Sequence, residues 1–284
     1  MKQMSTDERR SAELEALEAL EIELLLEGLH RRYGLDFREY EREPLRRRLL
    51  AFLRDQGLNT PSDLLARVLH DASLCNALGR ALIAQQGMLF DEPASFAALR
   101  ELAGPLLGSY PAPKVWIAEC LCPEEVFGLA ILLEEEVHYE RTLVFATCSN
   151  DELLQQVKAA SIPAERIALY EERYRASGGR RSLGDYLSLR GDRAVFADHL
   201  RSRIIWAQYN LPTDSSFNEF QLICCRNRLA DYQPRLQNRI LGLFHQSLAS
   251  YGVMNVGASG VVEAAMRRMA YRGLGYAGLY RRMG

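Results

Sequence analysis

Lysine is nearly missing from this chain: Lys2, Lys114 and Lys158 are the only three among 35 basic residues. The remainder are arginine, a bias read first as genomic composition. With 37 acidic residues the formal charge is −2, so no global basic field points to nucleic acid. No apolar run approaches the roughly 18–20 residues that a membrane span needs, which argues against membrane insertion. The opening MKQMSTDERR lacks the apolar stretch of a signal peptide, and a cytoplasmic protein is the expectation. Six cysteines in 284 residues make no disulfide scaffold and suit a reducing compartment. There is no nucleophile elbow, no P-loop and no H-E-x-x-H pattern, so hydrolase and NTPase readings lose support. His30, His70, His138, His199 and His245 are scattered and read as surface or packing residues rather than as a base.

Composition is otherwise that of a globular protein, 48% apolar and 25% charged, with room for one large domain or two modest ones. Residues 12–88 read as helix after helix. Leu14, Leu17, Leu20, Leu24 and Leu25 fall at helical spacing with glutamates between them, and the glutamate side reads as a solvated face. Gly34 closes that helix behind Arg31, Arg32 and Tyr33. A second helix runs from about Glu43 to Gln56, with Pro44 in its first turn and Gly57 as its stop. Thr60-Pro61-Ser62-Asp63 opens a third with N-cap chemistry, and Asp71-Ala72-Ser73 precedes a fourth.

The pattern changes near residue 105. Gly104-Pro105 and Pro111-Ala112-Pro113 read as loop punctuation. KVWIAEC (114–120), TLVFATC (142–148), RIIWAQYN (203–210), FQLICC (220–225) and YGVMNVG (251–257) read as strands. Helices are expected over 124–137, from Asp151, and between about Pro234 and Ala249. This alternation predicts an α/β, doubly wound, mostly parallel sheet after an all-α N-terminal domain. Ligands in such sheets bind beyond the carboxyl ends of the strands, here around 119–123, 147–150, 210–213 and 224–227. Residues from about 162 to 202 break the alternation and read as an inserted subdomain. Arg166, Arg173, Arg175, Arg180, Arg181, Arg190 and Arg193 make it basic, either as a solvated face or as a docking surface for an acidic partner.

From about residue 20 to its end the chain resembles the CheR-type chemotaxis methyltransferases. The segments that carry the resemblance are YGLDFREY…EPLRRRLLAFLRDQGLNT, VWIAECLCPEEVFGLAILLEEE, LVFATCSNDEL, ERYRASGGRRSLGDY, WAQYNLPTDSSFNEFQLICCRN and the closing LYRR. The resemblance implies a helical domain over 1–92 and a methyltransferase-like domain over 93–284, with an antiparallel subdomain inserted in the latter. It further implies S-adenosylmethionine (SAM) at the strand ends and methyl transfer to a receptor glutamate. Glu125, Cys148, Asn210, Leu211 and Asn227 stand at the family's cofactor positions. Protein partners, a chemoreceptor, histidine kinase or other signalling protein, would meet Arg42, Arg46, Arg47, Arg48, Arg180 and Arg181.

Four motifs depart from the family pattern. The Gly-Cys-Ser-Thr-Gly-Glu-Glu turn reads Glu119-Cys120-Leu121-Cys122-Pro123-Glu124-Glu125 here. Both glycines that let the backbone approach the methionine end of SAM are gone, and Pro123 removes one backbone donor. The Asp that accepts from both ribose hydroxyls is Cys148; losing such a contact costs about 1.5–3 kcal/mol. The Thr-x-x-Phe-Arg-Asp segment reads Gly87-Met88-Leu89-Phe90-Asp91-Glu92, reversing a charge at Asp91. Cys-Arg-Asn-Val-Leu-Ile-Tyr-Phe reads Cys225-Arg226-Asn227-Arg228-Leu229-Ala230-Asp231-Tyr232, which puts Asp231 where the family's tyrosine stands beside the methyl group.

Scaffold positions persist while cofactor and catalytic positions change chemistry. Because positioning supplies most of the rate in methyl transfer, the expectation is a pseudo-methyltransferase kept as a binding or regulatory module, with weak or absent binding of SAM or S-adenosylhomocysteine (SAH). An active enzyme with an atypical pocket is the alternative. Cys120, Cys122, Cys148, Cys224 and Cys225 map to one set of strand ends, where thiolates can ligate zinc or pair under oxidation. Burial as small apolar residues is the simpler reading, no C-x-x-C spacing appears, and no metal is expected. Strand alternation also predicts that Cys224 and Cys225 cannot both point inward.

Overall fold

The computed structural model describes residues 6–83, 87–136, 139–257, 262–276 and 278–284; His138 lies outside them. Contacts group the chain into two units. One extends to Gln85 and takes in Asp231–Gln233; the other holds Gln86–Ala230 and Pro234–Gly284.

The first unit is helical: α1 (Thr6–Tyr33), α2 (Arg42–Asp55), α3 (Pro61–Val68) and α4 (Ala72–Leu82). Local chemistry sets their ends. Gly34, at φ +73°, donates its N–H to the His30 carbonyl at 2.9 Å and ends α1. Thr60 and Asp63 form a reciprocal capping box at the start of α3. Asp71 accepts from the Leu74 N–H at 3.0 Å to cap α4. The helical pattern read as far as residue 88 stops at Leu82, because Ile83 turns to extended backbone.

A second difference concerns α1. Of its five spaced leucines only Leu25 enters the core; Leu14, Leu17, Leu20 and Leu24 are 61%, 53%, 52% and 51% exposed. Geometry accounts for this. A helix of 28 residues spans about 42 Å, and α3, with 8 residues, about 12 Å. The buried face of α1 is therefore confined to its last turns, at Leu25, Leu26 and Leu29.

The second unit runs α5 (Pro93–Gly108), β1 (Lys114–Ile117), α6 (Pro123–Glu136), β2 (Leu143–Cys148), α7 (Asp151–Lys158), β3 (Ser161–Pro163), α8 (Ile167–Ala176), β4 (Leu187–Arg190), β5 (Arg193–Phe196), α9 (Asp198–Arg201), β6 (Ile204–Gln208), β7 (Phe220–Cys224), α10 (Pro234–Ser247), β8 (Leu248–Asn255), α11 (Glu263–Arg268), β9 (Tyr271–Gly273) and β10 (Leu279–Arg282). Seven strands form one sheet in the order β6-β2-β1-β7-β8-β10-β9. All pairs from β6 to β8 are parallel, and β10 runs antiparallel to both β8 and β9. The fold is the α/β, Rossmann-like methyltransferase class behind an all-α N-terminal region. The insertion supplies its own antiparallel sheet, β3-β5-β4.

Both faces of the main sheet are covered. On one, Val115, Ile117, Val144 and Leu222 join a core with α5, α6 and the insertion. On the other, Trp116 packs against Phe220 and Phe244 at ring distances of 5.3 Å and donates its indole N–H to Thr147 at 3.0 Å. This double cover explains the burial of the paired cysteines. Cys224 and Cys225 are both buried, because opposite faces beside a central strand are both interior. Gly104-Pro105 is not a loop either; Pro105 lies inside α5. One helical hydrogen bond is forgone there, while Ala103, Leu106 and Leu107 are buried around it.

Candidate functional site

The strand order reverses between β1 and β7, and in such sheets the crevice lies beyond the strand ends at that switch. The turn after β1 closes one wall. Glu119 has φ +57°, a left-handed backbone that favours glycine; it ends β1 three residues earlier than the apolar pattern suggests. Its carboxylate is buried. Cys120 donates its N–H to the Thr147 carbonyl at 2.8 Å, tying the turn to β2. Pro123 opens α6, where a missing N–H costs nothing to the helix.

The two glutamates that follow separate in role. Glu124 is buried and accepts a hydrogen bond from Tyr170 of α8 at 3.0 Å, with Arg166 at 4.0 Å. It anchors the insertion. Glu125 accepts the Leu121 N–H at 2.9 Å and forms an ion pair with Arg228, which is itself buried. Burial opposes the charge on Arg228, but Glu125 and then Glu119 hold its guanidinium above the ordinary range. Gly87 completes this wall: a Cβ added there would lie 2.6 Å from the Glu125 Cγ. Its carbonyl accepts the Cys122 thiol at 3.2 Å.

On the β7 side, Arg226 meets Asp91 at 2.7 Å and Glu92 at 3.1 Å, with its guanidinium 4.8 Å from the Phe96 ring. The reversed charge at Asp91 is thus compensated within the chain. Asn227, at φ +57°, donates its side-chain amide to Glu92 at 3.0 Å. Gly257 must be glycine, since a Cβ would fall 2.1 Å from the Asn227 Oδ1. Asn227 is thus held between Glu92 and Gly257 on the β7 side, and Glu125 by Leu121 and Arg228 on the β1 side.

Cys148 closes β2 fully buried. Burial, then the neighbouring Cys148 thiol, pushes the Cys120 pKa well up. Burial alone raises Cys224 to about 12, so these thiols stay protonated and poorly nucleophilic. Among the described residues all six cysteines are free, and no group of three His, Cys, Asp or Glu is placed to hold a metal ion. Beyond β6, Asn210 donates its N–H to Asp214 at 2.8 Å and its carbonyl accepts the Asp214 N–H at 2.9 Å. This tight turn is joined to the end of β2 through the Tyr209 N–H on the Cys148 carbonyl at 2.9 Å, and Leu211 is buried beneath it.

Asp231 goes elsewhere. With Tyr232 it belongs to the helical unit, where it accepts from Arg48 at 2.6 Å and its carbonyl accepts the Glu41 N–H at 2.7 Å. Tyr232, one position beyond the family's tyrosine, packs edge-on against Tyr40 at 4.9 Å. Arg48 also donates to the Leu82 carbonyl at 2.9 Å, so it is turned inward and is no part of an open basic face. Its neighbours differ. Arg47 is exposed, Arg42 pairs with Glu23 at 3.1 Å, and Arg46 pairs with Glu18. In the insertion Arg180 meets Glu136 at 3.1 Å and Arg181 meets Glu134 at 3.8 Å, both with largely exposed side chains.

Sequence reasoning passed over Arg228 as a site residue. A signal was available: Arg228 is a cation just after an apolar strand, in a chain whose β1 turn carries Glu119, Glu124 and Glu125. It also missed Arg100, buried with Glu135 at 2.5 Å and Glu136 at 3.1 Å.

Residues 86–273 match the family described as the CheR methyltransferase, SAM binding domain, and residues 20–83 match the CheR methyltransferase, all-alpha domain. A Pseudomonas putida protein named "Putative methyltransferase Cher3" is 39% identical over 86% of this chain and 89% of its own length. A "Chemotaxis protein methyltransferase" of Listeria innocua is 24% identical over 80% and 84% respectively. Among solved structures, the N-methyltransferase NodS from Bradyrhizobium japonicum WM9 aligns at 11% identity with a TM-score of 0.38, covering 69% of this chain and all of NodS.

Proposed function

The chain belongs to the CheR methyltransferase family, and we propose that it is a member that keeps the fold without transferring methyl groups. It would act as a binding or regulatory module in a bacterial chemosensory or related signalling pathway. The observation that carries this reading is the ion pair of Glu125 with Arg228. The carboxylate at a family cofactor position is engaged by the chain's own cation, beside a turn where Glu119 stands for glycine. A SAM amino-acid end is small, charged and held by close backbone approach. The residues present do not fit it: a buried glutamate, a proline and a buried guanidinium fill that wall. Cys148 offers no bidentate acceptor to a ribose.

The use the chain makes of these positions supports the same reading. Asp91 and Asp231 are each bonded to an arginine of this chain, Arg226 and Arg48. Chemistry that would face a substrate serves internal pairing instead. The surfaces left for a protein partner are the α2 cations Arg42, Arg46 and Arg47, and Arg180 and Arg181 in the insertion. A chemoreceptor or another signalling protein of acidic surface fits them.

Calorimetric titration with SAH, run beside SAM, tests the reading. No heat at millimolar ligand is expected. Low-micromolar binding, followed by methyl incorporation into a chemoreceptor fragment, would overturn it in favour of an active enzyme with an atypical pocket. The converse experiment restores the family pattern with Glu119→Gly, Cys148→Asp and Arg228→Val together, and SAH binding should then appear.

A further inference from the structure

From residue 9 to 17 α1 buries no side chain against the rest of the helical unit, and the helix meets α2 at Glu18, which pairs with Arg46. Residues 9–17 are all exposed, yet an unsupported helix of this length is marginal in water. Leu14, Leu17, Leu20 and Leu24 lie on one side of it, all more than half exposed. On a helical projection they occupy one arc of about 120°, bordering the arc of Leu25 and Leu29 that enters the core. From residue 11 to 30 the helix carries six glutamates and no lysine or arginine, with Arg10 just before and Arg31 just after.

We propose that this stripe is the seat of a second copy of the chain, bound through α1 in antiparallel orientation. Charge decides between the possible occupant orientations. A parallel, in-register pair sets Glu13, Glu21 and Glu27 against the same glutamates, and Arg10 and Arg31 against the same arginines. An antiparallel pair centred between Glu18 and Ala19 avoids every such conflict. It places Leu17 on the partner's Leu20, Glu13 beside the partner's Leu24, Glu21 beside the partner's Ala16, and Arg10 beside the partner's Glu27. Heptad spacing supports the geometry: Arg10, Leu17, Leu24 and Arg31 recur every seven residues, with Glu13, Leu20 and Glu27 between them, so the stripe runs straight along the helix.

Area sets the strength. Four half-exposed leucines on one copy amount to several hundred Å², at the upper end of what a monomer leaves open. Doubled, they approach the low end of a specific interface. The pairing is therefore reversible and follows concentration. Leu20 and Leu24 also wall a groove of about 920 Å³ between α1 and α2, and a helix on the stripe would close its mouth.

Analytical ultracentrifugation of the full chain from about 1 to 200 μM tests this, because mass action requires the mass to double across the range. Leu17→Glu with Leu20→Glu, both at exposed positions, should hold the protein monomeric throughout while its circular dichroism and melting temperature stay unchanged. Orientation is read by crosslinking, since the native cysteines are buried. A mixture of Arg10→Cys and Glu27→Cys chains should join to one another, and Arg10→Cys alone should not join to itself. A monomeric mass at 200 μM, a dimer that survives the double glutamate substitution, or Arg10→Cys self-crosslinking would overturn the proposal.

Discussion

The two units of this chain handle charge in opposite ways. In the helical unit the pairs Glu18–Arg46, Glu23–Arg42 and Glu27–Arg38 bridge exposed or half-exposed side chains on and around α1 and α2. In the sheet unit Arg100–Glu135 and Arg228–Glu125 are enclosed, with side-chain exposures of 5% and 4%, and 6% and 18%. Exposed pairs compete with water and salt and contribute little. Enclosed pairs have given up hydration, so removing one partner leaves the other charge stranded. Evolution can therefore alter the first kind freely, whereas the second kind must change as a set. At the crevice Glu125 and Arg228 form such a pair, with Glu119 adding to the charge that holds Arg228.

The contrast is broken hardest at Arg100. Arg100→Ala strands Glu135 between Tyr174 and Tyr186 and should cost about 3–5 kcal/mol, read from the urea midpoint. An effect below 1 kcal/mol would mean that the site rehydrates and the distinction fails. Arg228→Val should follow at about 2–3 kcal/mol, less because Glu125 retains some solvent. Adding Glu119→Gly to it should recover part of the loss, since that change removes both a buried carboxylate and a left-handed non-glycine backbone. Strict additivity of the two would show that they do not share a site.

A smaller effect appears in acid. Burial opposes ionisation of Glu135, but the hydrogen bonds from Tyr174 and Arg100 win and hold its pKa below the ordinary carboxylate value. A depressed carboxylate adds stability in full above its unfolded pKa of about 4.5, and loses it as pH falls through the lower folded value. Glu135→Gln should therefore flatten the acid limb of a stability–pH curve below about pH 4.5 and leave its shape at neutral pH unaltered; an unchanged acid limb would count against the assignment. Smallest of all, Glu23→Gln should shift stability by less than about 0.5 kcal/mol, and less still in high salt.

Much of the architecture was legible because it depends on local periodicity. The capping residues Thr60 and Asp71, the stop at Gly34, and the apolar cores of β1, β2, β6, β7 and β8 are nearest-neighbour signals that tertiary contacts only reinforce. β9, β10 and the insertion's short strands went unread because three or four residues of mixed polarity, such as Tyr271–Gly273, carry no period to detect. The crevice was legible only as a set of substitutions. The identities of Glu119, Cys148 and Asp91 are visible in the chain; what each touches is not.

The sequence by itself determined the class of fold and the family, and marked the positions, Glu119, Cys148, Asp91 and Asp231, on which the proposed function rests. These rest on residue identity and on spacing along one chain. Only the tertiary structure decided that Arg228 meets Glu125, that Arg226 neutralises Asp91, that Asp231 and Arg48 belong together, and that four leucines of α1 face outward. Each depends on residues far apart in sequence, or on how far α3 reaches along a longer helix. Pairing energies fall off within a few ångströms, and no count along the chain supplies distances of that kind.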